Sequence, residues 1–477
     1  MTDTADADHA ANASARAALG GRLQSLRQIL PLAWPVFIGQ LAVLAYSTID
    51  TLLVARHSAI DLAALAVGSA VYTSVFVGLM GVVLAISPVA GQLFGARRMT
   101  EAGDSLHQAA WLALALTVVG ELILWFPQPF LAISQVSPEI AVKVRDYLRM
   151  LGIALPAALL FTAYRGFNTA VSRPKAVMAL QIGGLLLKFP ASALLIAGFS
   201  VGPLQVPPLG AVGCAIATAI VMWSQLLIAL VVLKRDPFYA PFGFAGTGLH
   251  RPRWATLVRL VKLGVPMGAS VLIEVTGFTF MAIFIARLGT TPVAGHQLCA
   301  NLVAMMFMLP LAQANACSTL VAQALGARDY AAARRLGWHG LEIALVIAFV
   351  LGGVIFALRE QVLGLYTSDA AIVAAALPLL GWLWLFHVSD AGQTVAAFVL
   401  RAHHIATAPM LIYAFAIWGL GLGGGYWLAF GEHEVELPAV MQGARGFWSA
   451  ASVGLAAAAL GLGLLLALVH RREVREA

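Results

Sequence analysis

The stretch SPVAGQLFGAR at 87–97 returns 231 residues later as STLVAQALGAR at 318–328. Ser87 falls on Ser318, Gln92 on Gln323, and Gly95-Ala96-Arg97 on Gly326-Ala327-Arg328. The offset holds outward from there, placing Pro35 on Pro266 and Ala55-Arg56 on Ala286-Arg287. Further along, Arg165 and Pro174 match Arg401 and Pro409 after a slip of four or five residues. A constant offset across two helices marks an internal duplication, which shared composition alone does not produce.

Around these landmarks the chain is apolar. Of its 477 residues, 61% are hydrophobic and 11% charged, against roughly 25% charged in a soluble domain. That excludes a soluble enzyme or a nucleic-acid module as the main body. Apolar runs fall near 32–55, 63–91, 108–129, 148–168, 176–198 and 209–233, and again near 258–287, 293–324, 340–358, 372–400, 406–429 and 448–469. Each approaches or exceeds the roughly 20 residues that span a bilayer as a helix. Six helices per copy, an even number, make the repeats parallel about an axis along the membrane normal. The expected fold is therefore an all-α polytopic membrane protein, twelve transmembrane helices in two six-helix parallel repeats, with a cavity between two bundles. The expected organisation is a cytoplasmic lead at 1–31, a first lobe at 32–233, a basic, Pro- and Gly-rich linker at 234–256, a second lobe at 257–470 and a tail at 471–477. Prolines 35, 156, 190, 266 and 310 fall inside helices, where they remove backbone hydrogen bonds and permit bends.

Charge sets the orientation. With both termini in the cytoplasm, cytoplasmic segments carry 21 of the 29 Lys and Arg and outer segments carry 7. The remaining one, Lys188, lies inside the membrane. The threefold excess obeys the positive-inside rule and sets the topology of a multi-pass protein, and a bacterial-type cytoplasmic (inner) membrane is the location expected from the family resemblance given below. The Ala-rich lead lacks the combined features of a signal peptide and reads as a disordered or amphipathic cytoplasmic segment. Cys214, Cys299 and Cys317 lie in apolar segments without a CxxC or Cys/His cluster, so neither disulfides nor zinc are expected. Enzyme motifs are absent: there is no GxxxxGK[ST], HExxH or GxSxG, and HEVEL at 433–437 lacks the second histidine. No cofactor and no nucleic-acid partner are expected.

An ionised side chain at mid-membrane costs on the order of 2.5–3.5 kcal/mol on insertion scales, so each needs a reason. Asp50 shares a polar helical face with Gln40, Ser47 and Thr51. Glu274 lies in VLIEVTGF, and Asp390 lies in FHVSDAGQT with His387, Gln393 and Thr394 three or four positions away. Lys188 lies in LLLKFPAS, roughly 18 Å from the inner end of its helix. Glu121 has only apolar neighbours and reads as structural or interfacial. Three acids among so few intramembrane charges point to a cation pathway through Asp50, Glu274 and Asp390, with Lys188 and His387 as modulating or ion-pair residues. The alternative for each is a buried structural hydrogen-bonder. Gln297, Asn301, Met305 and Met308 form one stripe on the eighth helix, a candidate substrate wall with Gln40 and Ser47, or else ordinary packing.

Taken in order, LAWPVFIGQLA (32–42), STIDTLLVAR (47–56), GQLFGARR (91–98), RGFNTAVSRPK (165–175), ARLGTTPVAGHQ (286–297), SDAGQ (389–393) and LRAHH (400–404) resemble the multidrug and toxic compound extrusion (MATE) family in its NorM-like branch. The resemblance runs from about 25 to 470. It implies a V-shaped pair of lobes, a monomer, and an antiporter that expels amphipathic, often cationic drugs in exchange for Na⁺ or H⁺. It further implies that Asp50, Glu274 and Asp390 are the coupling acids, with Glu274 and Asp390 able to hold Na⁺. Relatives carry asparagines in a helix-5 run like LLLNIPLN; this chain has Lys188 and Ser192 there. An ammonium beside Asp50 would repel a sodium ion and move coupling to Glu274 and Asp390. The runner-up is a lipid-linked oligosaccharide flippase of the same superfamily, whose anionic substrate calls for several basic residues in the cavity.

Overall fold

A computed structural model describes residues 3–134, 137–201, 204–244, 248–431 and 438–476. HEVEL at 433–437 lies outside the described residues. Among the described residues, twelve helices are long and apolar enough to cross a membrane: α1 (Gly20–Ala55), α2 (Ala59–Gly95), α3 (Met99–Ala132), α4 (Pro138–Ala170), α5 (Pro174–Ala197), α6 (Gly210–Arg235), α7 (Trp254–Ala286), α8 (Thr290–Gly326), α9 (Tyr330–Ala357), α10 (Ala370–Ala402), α11 (Thr407–Phe430) and α12 (Gly443–Arg472). The helix of α1 begins earlier, at Asp3. Below, "proximal" denotes the end of the bundle where α1 starts and "distal" the opposite end.

The intrahelical prolines do not end their helices; α1, α4, α5, α7 and α8 run through them. The break in α2 comes just before Pro88. Proline has no N–H to give the Leu84 carbonyl, and the Ser87 N–H donates to it instead at 3.0 Å. A ten-residue π-helical segment, Ala414–Gly423, interrupts α11 beside α7 and α12. One small element was not foreseen, an antiparallel pair of strands, Phe199–Val201 with Leu204–Val206, between α5 and α6.

The duplication is written in the helix ends. Arg97 and Arg328 both sit at φ 59°, and Ser172 and His404 at 61° and 59°. Each is the left-handed residue of a Schellman cap. The Arg98 N–H reaches the Leu93 carbonyl at 2.9 Å and the Asp329 N–H reaches Ala324 at 2.9 Å. Arg173 to Asn168 (2.8 Å) and Ile405 to Leu400 (3.0 Å) form the second pair. The second pair fixes an offset of 232 between Ser172 and His404. Arg165 and Arg401 are therefore not equivalent positions, but stand one turn apart on corresponding helices.

The repeated stretch is also where the halves cross. A Cβ on Gly95 would collide with the Gln323 carbonyl, and one on Gly326 with that of Gln92. Only glycine permits this approach of α2 and α8. The Gln92 amide donates to the Ala402 carbonyl at 2.8 Å, and the Gln323 amide donates to Ala170 at 2.7 Å. Gly81 and Gly268 bring α2 against α7 in the same close manner. Further proximal ties are Ser25 to His339 (2.8 Å) and the Arg22–Glu342 ion pair (2.8 Å). These ties draw the halves together at the proximal end.

The linker after α6 is folded onto the first half. Arg173 pairs with Asp236, the Tyr239 hydroxyl donates to Asn168, and Phe242 meets Phe167 edge-on at 5.3 Å.

Candidate functional site

The first half contains a buried ion pair. Asp50 on α1 is 8% exposed and Lys188 on α5 is 1% exposed. The Lys188 Nζ lies 2.9 Å from Asp50 Oδ1. It also donates to the Thr218 hydroxyl at 2.7 Å and the Cys214 carbonyl at 3.1 Å, both on α6. An ammonium has three protons to give, and here three acceptors receive them. Ser192, one turn beyond Lys188, donates its hydroxyl to the same Asp50 oxygen at 3.1 Å. The helix-5 substitutions singled out from the sequence, Lys188 and Ser192, are thus the two residues that hold Asp50. Two further side chains and the Gln181 main-chain carbonyl lie toward the proximal end. The Tyr46 hydroxyl donates to the Gln181 carbonyl (2.8 Å) and accepts from Gln225 (2.9 Å).

The second half holds its acids differently. Gln393 on α10 stands between Glu274 on α7 and Asp390 on its own helix. Its amide nitrogen reaches Glu274 Oε1 at 3.1 Å and Asp390 Oδ1 at 2.9 Å. The Tyr413 hydroxyl from α11 donates to the Gln393 oxygen and so fixes which end of the amide faces the acids. Among the described residues, neither Glu274 nor Asp390 forms an ion pair with a basic side chain. Two neighbouring carboxyl groups in an apolar setting cannot both remain charged unless a cation joins them. The arrangement can therefore take up a proton or a small cation.

Two cavities meet at Glu274. One, of about 40 Å³, lies within the second half and is lined by Glu274, Asp390, Phe278, Phe386 and the π-helical segment of α11. The other, of about 210 Å³, lies between the halves and carries Glu274, Thr394 and Tyr413 on one side and Gln40, Gln181 and Thr169 on the other. Glu274 borders both, whereas Asp390 borders only the inner one.

The other expected site residues divide. Gln40 is on the wall of the larger cavity. Ser47, Gln297, Asn301 and Met305 are not; they occupy exposed positions on the distal halves of α1 and α8. Ser47 spends its hydroxyl on the Leu44 carbonyl (2.9 Å). The Tyr366 hydroxyl covers Asn301 at 3.1 Å and the Met305 sulfur at 3.7 Å. His387 is 1% exposed, and its Nε2 has no hydrogen-bond partner among the described residues.

Sequence reading missed two basic residues of the cavity. Arg165 and Arg401, counted there as topology signals, both line it. Arg401 is 8% exposed, with its guanidinium over the Phe398 ring at 4.4 Å. Neither arginine forms an ion pair among the described residues. The signal was available, since both fall at the very edge of an apolar run. Lys188 is therefore not the lone intramembrane cation. Asp61, 3% exposed at the distal end, was also missed; Lys143 (2.9 Å) and the Ala211 N–H (3.2 Å) satisfy it.

Comparison with known proteins places the chain in a family. The MatE family profile matches twice, at residues 35–194 and 266–427. The chain is 40% identical to "Probable multidrug resistance protein NorM" of Aromatoleum aromaticum, covering 92% of this chain and 93% of that one. It is 35% identical to "Multidrug resistance protein NorM" of Vibrio cholerae, with 93% and 96% covered. It is 34% identical to "Multidrug resistance protein PmpM" of Pseudomonas aeruginosa, with 94% and 93% covered. Among solved structures, the eukaryotic MATE transporter AtDTX14 superposes with a TM-score of 0.84 at 19% identity, covering 96% of this chain and 98% of that chain. From the double profile match and relatives of this identity over nearly the whole length, the chain belongs to the MatE family.

Proposed function

We propose that the protein is a cation-coupled antiporter that exports amphipathic, often cationic drugs by alternating access from a bacterial inner membrane, with both termini in the cytoplasm. The names of its relatives, multidrug resistance proteins, support the substrate class. The observation that carries the coupling is the position of Glu274, shared between the inner cavity with Asp390 and the cavity between the halves. A cationic drug in the larger cavity takes Glu274 as its counter-charge. An H⁺ or Na⁺ arriving at Glu274 and Asp390 removes that counter-charge and the drug leaves. Gln393 ties the two acids so that both respond to one cation. In this orientation the proximal end is cytoplasmic, and the crossing at Gly95 and Gly326 is the inner gate in its closed position. Where more cation charge enters than drug charge leaves, a membrane potential of about 150 mV supplies roughly 3.5 kcal/mol per net charge moved inward, about 300-fold in concentration.

The first-half pair takes no part in this scheme. The Lys188 ammonium already neutralises Asp50, so coupling rests on the second half. The experiment is drug efflux in everted vesicles with an imposed Na⁺ gradient compared with an imposed pH gradient. Glu274→Gln and Asp390→Asn, at equal expression, are expected to abolish gradient-driven efflux. Wild-type rates in both would overturn the proposal.

Arg165 and Arg401 on the cavity wall favour one second reading, the oligosaccharide-lipid flippase. Translocation of a labelled lipid-linked diphosphate in the same vesicles, abolished by Arg165→Gln and Arg401→Gln while drug efflux stays absent, would select it.

A further inference from the structure

A third cavity, of about 230 Å³, lies away from the acids, on the outer flank of the first half. Helices α3 and α6 both pack on α4, and the groove between them has a floor of small residues, Ala110, Ala163 and Ala229. Its proximal end is closed by Phe244 and Leu249 of the linker. Along α3 the lining runs from Leu106 to Leu114, about 12 Å at the helical rise per residue. That is most of the depth of one leaflet, roughly 15 Å. The groove carries no acid and so offers nothing to a cationic drug.

Basic residues flank its lining in sequence: Lys234, one turn past the lining residue Leu230, continues that helical face, Arg235 follows at the helix end, and Arg251 comes two residues after Leu249. All three are exposed, and none forms an ion pair among the described residues. The acids nearby are already engaged: Asp104 with His250 and Arg253 (2.9 Å each), Asp236 with Arg173, and Glu101 with Arg98. Trp111, within the length of the groove, donates its indole N–H to the His250 carbonyl at 2.8 Å and holds the linker there, and the exposed Trp254 marks the level of a membrane interface. His107, whose ring stacks on His250 with centroids 4.0 Å apart, lines the groove. Its Nε2 is buried without a hydrogen-bond partner among the described residues.

We infer that this groove is a binding site for an anionic phospholipid of the proximal leaflet. One acyl chain lies on the alanine floor, the phosphate sits among Lys234, Arg235 and Arg251, and His107 Nε2 meets the ester region. Basic side chains at such a surface contribute about 1 kcal/mol each towards anionic lipid. Because Phe244 and Leu249 form its wall, a bound lipid holds the interlobe linker on the first half. The site thereby connects lipid charge to the segment that joins the moving halves.

The test uses the full chain purified in detergent and supplemented with phosphatidylglycerol or phosphatidylcholine. Bound lipid is counted by native mass spectrometry and thermal stability is followed in parallel. Wild type is expected to retain one phosphatidylglycerol tightly and to melt later with it, but not with phosphatidylcholine. Lys234→Gln/Arg235→Gln/Arg251→Gln is expected to weaken retention about 100-fold, the product of three such contributions. Ala163→Phe fills the floor and removes retention. If that variant does not fold, Leu230→Trp closes the groove from its exposed side. Equal protection by phosphatidylcholine, or unchanged retention in the triple and filled variants, overturns the inference. No transport is measured, so the outcome is independent of the proposed antiport.

Discussion

Lys188→Met tests the assignment of the first-half pair most directly. Methionine keeps the length and apolar bulk of the stem and removes the charge. Asp50 is then left buried with the Ser192 hydroxyl as its hydrogen-bond donor. Removing one partner of a buried pair costs roughly 3–5 kcal/mol, because the other charge stays behind uncompensated. The chain can escape by protonation. Holding an ordinary aspartic acid neutral at pH 7 costs about 4 kcal/mol, from a reference value near 3.9 and 1.36 kcal/mol per pH unit. Both routes give a similar loss, a large part of a typical folding free energy of 5–15 kcal/mol. They also give it a signature. The penalty of the protonated route falls by about 1.4 kcal/mol for each unit of acidification. Stability of Lys188→Met should therefore recover between pH 7.5 and pH 5.5, whereas wild type gains nothing comparable from this pair.

The assay is thermal melting of purified protein across that pH range, with and without Na⁺. Lys188→Met is expected to melt several degrees below wild type at pH 7.5, to recover on acidification, and to be protected by Na⁺ entering the vacated place. Lys188→Met combined with Asp50→Asn is expected to lie much closer to wild type, because no charge is stranded. A Lys188→Met protein as stable as wild type at pH 7.5, indifferent to pH and Na⁺, would refute the reasoning.

Four other outcomes are expected. Gln393→Leu takes the shared donor from Glu274 and Asp390, at about 1–3 kcal/mol per group left unsatisfied, and melting curves check the loss. Gly95→Val or Gly326→Val should lower the melting temperature sharply, whereas Gly183→Val, where an added Cβ meets nothing within 4 Å, should change it little. Asp61→Asn breaks the distal clamp to Lys143 and the Ala211 N–H and should destabilise without altering the ion dependence of efflux. Arg165→Gln with Arg401→Gln removes two positive charges from the cavity wall and should slow efflux of carboxylate-bearing compounds more than that of simple cations, measured as a ratio of vesicle rates.

The fold was legible because two strong signals coincided. Hydropathy marked the twelve spans, and the offset between 87–97 and 318–328 paired them. What stayed hidden was anything set by contacts between distant segments. Gln92 and Gln323 were visible as a matched pair, but their reach across to Ala402 and Ala170 was not. Asp50, Glu274 and Asp390 stood out because charge is rare in these runs. Gln393, one of many amides, gave no sign that it would bridge two of them. Arg165 and Arg401 were absorbed by the positive-inside count because a basic residue at a helix end satisfies that rule whether it faces solvent or a cavity. The linker read as irregular from its prolines and glycines, yet its aromatic residues find partners on α4. Ser47, Gln297, Asn301 and Met305 were placed by helical periodicity, which finds a shared face but not what that face meets.

The duplication also shows why the two halves need different chemistry. At the offset of the helix-1 repeat, Asp50 corresponds to Met281. Lys188 has no fixed counterpart, because the π-helical segment Ala414–Gly423 shifts the register of α11; Gly421 lies in that segment. Met281 and Gly421 both line the small cavity beside Glu274 and Asp390. Where the first half has Asp50 and its ammonium, the second half has Met281 beside a cavity of about 40 Å³ that Glu274 and Asp390 also line. Those acids have no partners in the first half either, since Val43 stands at the position of Glu274 and Ala158 at that of Asp390. One bundle thus has an ammonium beside its carboxylate, on the Lys188 side chain, and the other has two acids beside a small cavity. Filling that cavity is then a direct test of the asymmetry. Gly421→Lys puts a basic side chain on the wall of the cavity that Asp390 and Glu274 also line. It should fold, because two carboxylates await it, and it should lose gradient-driven efflux as completely as Asp390→Asn. Efflux at wild-type rate from a folded Gly421→Lys protein would mean that the cavity is a packing gap and that the acids work without it.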